Sequence, residues 1–151
     1  MSPALSLKLV CAAVSIAGAS CATLITPATL PEGQWEITMA SFIDINHMPG
    51  TARATLQFRD GRISAFSGCN SGVGAANAVD GKMLVGPMAS TRRACLEPLG
   101  SFENRYFKLL QAQPSFRIEG NTLTLVAGDD SAGFRRSTEK TAEKPAAKPQ
   151  P

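Results

Sequence analysis

The sequence predicts an α+β fold, mostly β, in which a curled antiparallel sheet of hairpins packs on one α-helix. Two observations carry that prediction. Three short runs of alternating apolar residues are folded back at Asp60-Gly61, Asp80-Gly81 and Gly120-Asn121. Those dipeptides accept the positive φ that a two-residue hairpin turn demands. A single segment breaks the period of two: Leu99, Phe102, Tyr106, Leu109 and Leu110 recur at three- and four-residue steps. That spacing places them on one helical face.

The strands follow in order. Gln34–Met39 alternates polar and apolar residues. Ala54–Phe58 and Arg62–Phe66 flank the first turn, and Val79 and Lys82–Val85 flank the second. Ser115–Ile118 and Thr122–Val126 flank the third, and Phe134 marks a last strand. Pro98 suits the helix start, where its missing N–H costs nothing, and Pro114 lies just past the end. Glu103, Asn104 and Lys108 fall largely off the apolar stripe. With one helix available to cover the sheet, that stripe is read as core and not as a partner-binding face.

The two ends of the chain differ from this middle. Lys8 is the only charge before Glu32, and Leu9–Ala17 is an apolar run too short to cross a bilayer. Residues 1–20 therefore read as an export signal, ahead of the alternative of an uncleaved anchor. Ala17-Gly18-Ala19 has the form of an ordinary cleavage site. Gly18-Ala19-Ser20-Cys21 resembles a lipobox with glycine in place of a larger aliphatic residue, which makes Cys21 the lipidation candidate. Residues 21–32 read as a tether, 33–136 as the folded domain and 137–151 as a disordered tail. The tail has no aromatic and no aliphatic side chain larger than alanine, so it cannot bury enough surface to offset its ordering entropy.

Charge and cysteines narrow the function. The formal net charge is +3, and the adjacent basic pairs Arg92-Arg93 and Arg135-Arg136 are isolated from further basic runs, so nothing resembles a nucleic-acid face. The cysteines are Cys11, Cys21, Cys69 and Cys95. Cys11 leaves with the signal. If Cys21 is lipidated, Cys69 and Cys95 are the two left to pair, as befits an oxidising compartment. Neither belongs to a Cys-x-x-Cys redox motif. A zinc site needs three or four ligands and a thiol hydrolase needs a base, yet His47 is the only histidine. A structural disulfide is the preferred reading. Gly68-Cys69-Asn70-Ser71-Gly72 is neither a nucleophile elbow nor, with Gly74, a phosphate loop. Asp129-Asp130 beside Gly128 reads as a solvated turn and not a calcium site, and Asp44 and His47 form no constellation.

The order of Trp35, Gly68-Cys69-Asn70, Thr91 to Cys95, the helix and a closing hairpin with Leu123 and Leu125 resembles the META domain family of HslJ-like heat-shock and envelope lipoproteins. The likeness spans Trp35 to Phe134. It departs from the family where an aromatic often follows Gly-Cys-Asn, for this chain has Ser71-Gly72-Val73-Gly74-Ala75-Ala76-Asn77. The resemblance implies a small β-rich exported domain, often with its cysteine pair bridged, no established catalytic activity and no cofactor. The expectation is a non-catalytic, lipid-anchored, monomeric periplasmic protein with a stress-related or binding role toward an envelope protein or lipid. The alternative is an inhibitor of a secreted hydrolase, a protease or lysozyme.

Overall fold

The computed structural model describes residues 29–49 and 53–138. The export signal, Cys21 and nearly all of the expected tail lie outside the described residues. Among the described residues, nine strands and one α-helix follow in the order β1 Gly33–Ala40, β2 Thr55–Arg59, β3 Arg62–Phe66, β4 Ser71–Val79, β5 Lys82–Val85, β6 Ala89–Ser90, α1 Leu99–Gln111, β7 Ser115–Glu119, β8 Thr122–Ala127 and β9 Asp130–Arg136, with a short 3-10 turn at Ile45–His47 after β1.

The predicted curled sheet curls until it closes. Neighbouring strands run β3-β2-β1-β9-β8-β7-β5-β4, and β4 pairs again with β3, so eight antiparallel strands form a barrel. The short β6 lies on the same edge of β4 as β5, through Gly72 with Ser90 and Val73 with Ala89. The narrowest seam joins β5 to β7. There the only Cα pairing is Lys82 with Ser115, supported by the bonds Met83 N–H to Pro114 O and Phe116 N–H to Gly81 O.

The hairpins form where the turn chemistry places them. Asp60 and Gly61 have φ of 50° and 69°, and Asp80 and Gly81 have 49° and 73°. Both positions of each turn are left-handed, which matches the twist of the flanking strands. These turns and that at Gly120-Asn121 gather at one end of the barrel, where β1 begins and β9 finishes.

That turn end is sealed by apolar packing. Trp35 is fully buried, its indole N–H donates to Pro31 O at 3.1 Å, and the Arg136 guanidinium lies 4.2 Å from its ring centroid. Leu30, Pro31 and Glu32, from the segment expected as tether, pack here: Leu30 lies against the core and Pro31 is buried. Arg136 Nη1 donates to Glu32 O at 2.6 Å.

Helix α1 covers the opposite end. Phe102, Tyr106, Leu109 and Leu110 of the predicted stripe are buried, while Leu99 is half-buried. The Tyr106 hydroxyl donates to Thr55 O at 3.0 Å, and burial drives the pKa of this phenol well above its ordinary value. Arg105 forms an ion pair with Asp130, and the Asp130 side chain is only 16% exposed. The expectation of a wholly solvated Asp129-Asp130 turn therefore fails at Asp130, because the helix brings a guanidinium to it.

Strand β4 is longer than the alternation around Val79 indicates. Its inward positions are Gly72, Gly74 and Ala76, residues that neither favour strands nor signal burial. An added Cβ on Gly72 would lie 2.9 Å from Met88 Cε and 3.0 Å from Phe107 Cε1; one on Gly74 would lie 3.1 Å from Met88 Cγ. Met88 and Phe107 thus occupy the space that side chains at positions 72 and 74 would need. The glycines of β4 are their complement.

Candidate functional site

Where β3 passes to β4, the chain turns through Ser67-Gly68-Cys69-Asn70, with Gly68 at φ 97°. The Ser67 hydroxyl oxygen accepts from Cys69 N–H at 3.2 Å and from Asn70 N–H at 3.0 Å. Ser67 is fully buried, and its hydroxyl donates to the Glu103 carboxylate on the first turns of α1.

Asn70 is the hub, 1% exposed. Its Oδ1 accepts from Thr91 Oγ1–H and from Arg93 N–H, each at 2.8 Å. Its Nδ2 donates to Arg93 O and to Glu103 Oε1, each at 2.9 Å. A primary amide offers two acceptor and two donor sites, and all four are used here. Aspartate could not supply the donors and would set a second carboxylate against Glu103. Serine would be too short.

Two further links tie the segment Thr91–Leu96 to the barrel. Ser71 N–H donates to Thr91 Oγ1 at 3.1 Å, and Thr91 N–H donates to Ser71 O at 3.0 Å. Cys69 and Cys95 are disulfide-bonded, with Cα atoms 6.1 Å apart and a sequence separation of 26. The bridge joins the β3–β4 turn to the stretch just ahead of α1. In the chain-entropy model such a loop contributes about 3.5 kcal/mol.

The polar and covalent ties all point inward, and the segment's outer surface is open. Thr91, Arg92, Arg93 and Ala94 are exposed, and Leu96 is 87% exposed. A shallow groove of about 480 Å³ runs between this segment and the helix face of Glu103, Asn104 and Phe107.

Of the residues singled out by sequence, Cys69, Asn70, Thr91 and Cys95 meet here, and Gly68 makes their turn. Trp35 is at the other end of the barrel, in a purely architectural place. His47 is exposed beside Asp44, Nδ1 to Oδ2 2.8 Å, on the short Ile45–His47 turn. The Asn46 backbone N–H holds the Asp44 carboxyl below its usual range. This pair caps a turn and lies apart from the cysteines.

Ser67, Arg93 and Glu103 also belong to the site, though none of them stands out as a site residue by its place in the sequence. The helical spacing sets Glu103 largely off the apolar stripe, yet its carboxylate accepts from Ser67, from Asn70 N–H at 3.1 Å and from Asn70 Nδ2. A signal existed: Glu103 stands four residues before the half-buried Phe107 and beside Phe102, at the margin of the stripe. Cys69, Cys95 and Glu103 lie close enough together to suggest metal ligands. With the sulfurs bonded to each other neither is a thiolate, and the carboxylate is already engaged by three donors, so this cluster is a clamp in its oxidised form.

Comparison with known proteins places these features in a family. A family model described as META domain matches residues 28–139. Among solved structures, the chain is similar to an NMR structure of a protein from Burkholderia xenovorans, with 25% identity and a TM-score of 0.57 over 71% of this chain and 83% of that one. It is also similar to a second protein solved by NMR, with 18% identity and a TM-score of 0.56 over 70% and 89% of the two chains. A crystal structure of a DUF4847 family protein from Bacteroides vulgatus ATCC 8482 shares 12% identity at a TM-score of 0.51, over 72% and 95%. The last two likenesses concern the fold alone. No curated protein matches the chain.

Proposed function

This chain belongs to the META domain family, and from that premise we propose that it is a non-catalytic module of the bacterial envelope that binds a macromolecular partner through the Thr91–Leu96 segment. One observation carries the reading. The buried polar groups that could have served chemistry are consumed in holding that segment: Asn70 spends all four of its hydrogen-bonding sites, and both sulfurs are in the bridge. What this arrangement yields is a rigid, exposed stretch of backbone. Rigid segments bind with less ordering cost than mobile ones.

Export supports the same reading. A domain stapled by a disulfide suits an oxidising compartment, and the apolar run Leu9–Ala17 followed by small residues is a signal-like start. We place the mature protein in the periplasm, beginning at a lipidated Cys21 or otherwise at Ser20. It acts as a monomer toward an envelope protein or lipid, in a stress-related role. An inhibitor of a secreted hydrolase is the second reading, and the rigid exposed segment is what favours it.

Two measurements test this. Intact mass of the protein recovered from the envelope reads the processing, and a mass that still includes residues 1–19 contradicts both routes. Capture of partners from envelope extract, by the native chain and by Leu96→Asp, reads the binding face. Loss of the captured partner in the variant supports the segment as the interface, and unchanged capture contradicts it.

A further inference from the structure

We propose that Thr91–Ala94 is a substrate-like loop that inhibits a serine endopeptidase of trypsin-like specificity, with Arg92 entering the enzyme's arginine-binding pocket. The proposal rests on the reading of this segment as the partner-binding face. It adds the class of partner and the residue that selects it.

A peptide entering a protease cleft must be extended, accessible, and able to pair its backbone as an added strand. The chain is accessible here and free of helix and turn, and the backbone N–H and C=O of Arg92 have no partner among the described residues, which leaves them to pair with the enzyme. Strand β6 ends at Ser90, residues 91–96 continue without helix or turn, and Thr91 to Ala94 are all exposed. The two adjacent arginines have different fates. Arg93 turns back and donates through Nη2 to Cys69 O. Arg92 makes no hydrogen bond or ion pair among the described residues. An exposed, uncommitted guanidinium is what a deep pocket with a carboxylate at its base selects, through paired charge-assisted hydrogen bonds.

What separates an inhibitor from a substrate is how firmly the two sides of the scissile bond are held. On the N-terminal side, Ser90 pairs with Gly72, and Thr91 exchanges two hydrogen bonds with Ser71. On the C-terminal side, Asn70 grips both Arg93 N–H and Arg93 O, and Cys95 is bonded to Cys69 two residues later. Suppose the enzyme's serine attacks. Its oxygen bonds the Arg92 carbonyl carbon, the Arg92–Arg93 bond breaks, and the serine's proton passes through the enzyme's histidine to the Arg93 nitrogen. That amine cannot diffuse away, because Asn70 and the disulfide hold it beside the acyl group. Held there, the amine outcompetes water for the acyl carbon: it re-forms the peptide bond, the serine ester breaks, and the proton returns through the histidine to the serine oxygen. The loop thus binds like a substrate and reverts faster than it hydrolyses. Leu96, 87% exposed, adds apolar contact on the leaving-group side.

The test uses the purified, oxidised chain with trypsin and a chromogenic arginine anilide. The expected result is a stoichiometric fall in hydrolysis, with the chain recovered uncut. Arg92→Ala, which leaves the fold's contacts untouched, should weaken inhibition by about a hundredfold or more. Arg92→Leu should move inhibition from trypsin to chymotrypsin, a change that a merely misfolded variant would not produce. Trypsin left unaffected by the native chain overturns the proposal, as does rapid cleavage after Arg92 or full inhibition by Arg92→Ala. The Leu96→Asp capture experiment separates the two levels. If trypsin is unaffected while envelope capture still depends on Leu96, the protease assignment falls and the loop reading stands. If capture is also indifferent to Leu96, both fall.

Discussion

The two ends of the barrel are closed by opposite means. At the turn end, Trp35, Leu30 and Pro31 fill the opening with apolar surface, and one indole N–H and one guanidinium complete it. At the helix end, the apolar face of α1 does only part of the work. A polar cluster built on the buried Ser67 and Asn70, with Thr91, Arg93 and Glu103 around them, and a disulfide lock its margin. Apolar closure is non-directional and tolerates reshaping. Polar closure is directional, and here it sets the path of the backbone that it holds. The difference explains why the exposed, functional-looking segment sits beside the polar end and not beside Trp35.

Perturbing each end in turn sharpens this contrast. Trp35→Ala should have the largest effect, about 3–5 kcal/mol, since it empties a fully buried ring's volume. Urea denaturation should show that loss with the Thr91–Leu96 segment still ordered in the folded fraction. The disulfide should come next. Cys69→Ala, Cys95→Ala and the double variant should each lose about 2–5 kcal/mol and agree within error, because one bond is lost each time. Preserved stability with one thiol reacting rapidly in the native protein would reverse the structural reading of the bridge.

Asn70→Ala should cost about 2–4 kcal/mol, as it strands Glu103 and the Arg93 backbone groups at once. The smallest effect belongs to Tyr106→Phe, about 1 kcal/mol for one hydrogen bond to Thr55 O. Its signature is in pH. The folded state holds this phenol neutral by raising its pKa above the ordinary 10.0. The stabilisation is therefore complete below about pH 10 and is lost as pH rises further, since the unfolded chain ionises first. Tyr106→Phe should flatten that alkaline fall in the denaturation midpoint.

The same contrast decides what was legible in the sequence. Asp60-Gly61, Asp80-Gly81 and the period-two runs encode the hairpins locally, and the stripe from Phe102 to Leu110 encodes the helix. Closure is not local. β1 meets β9 through pairs such as Trp35 with Arg136, a hundred positions apart, and β5 meets β7 through one residue pair. β4 was obscured because its inward positions are glycine and alanine, whose place becomes intelligible only once Met88 and Phe107 are seen against them. In the candidate site, the cysteines, Asn70 and Thr91 were legible by type and order. Glu103 was not, since one acidic residue on a helix looks solvated until the turn it clamps is folded beneath it.

Amide hydrogen exchange at Arg93 tests the central claim most directly. Arg93 is exposed, yet its N–H donates to the buried Asn70 Oδ1 at 2.8 Å. In the native protein this amide should exchange on the slow timescale of barrel amides, and Arg92→Ala should leave it slow. Asn70→Ala should release it while the amides around Trp35 stay protected. Fast exchange at Arg93 in the native, oxidised protein would contradict the account, because the segment would then be an ordinary mobile loop and not a backbone held for binding.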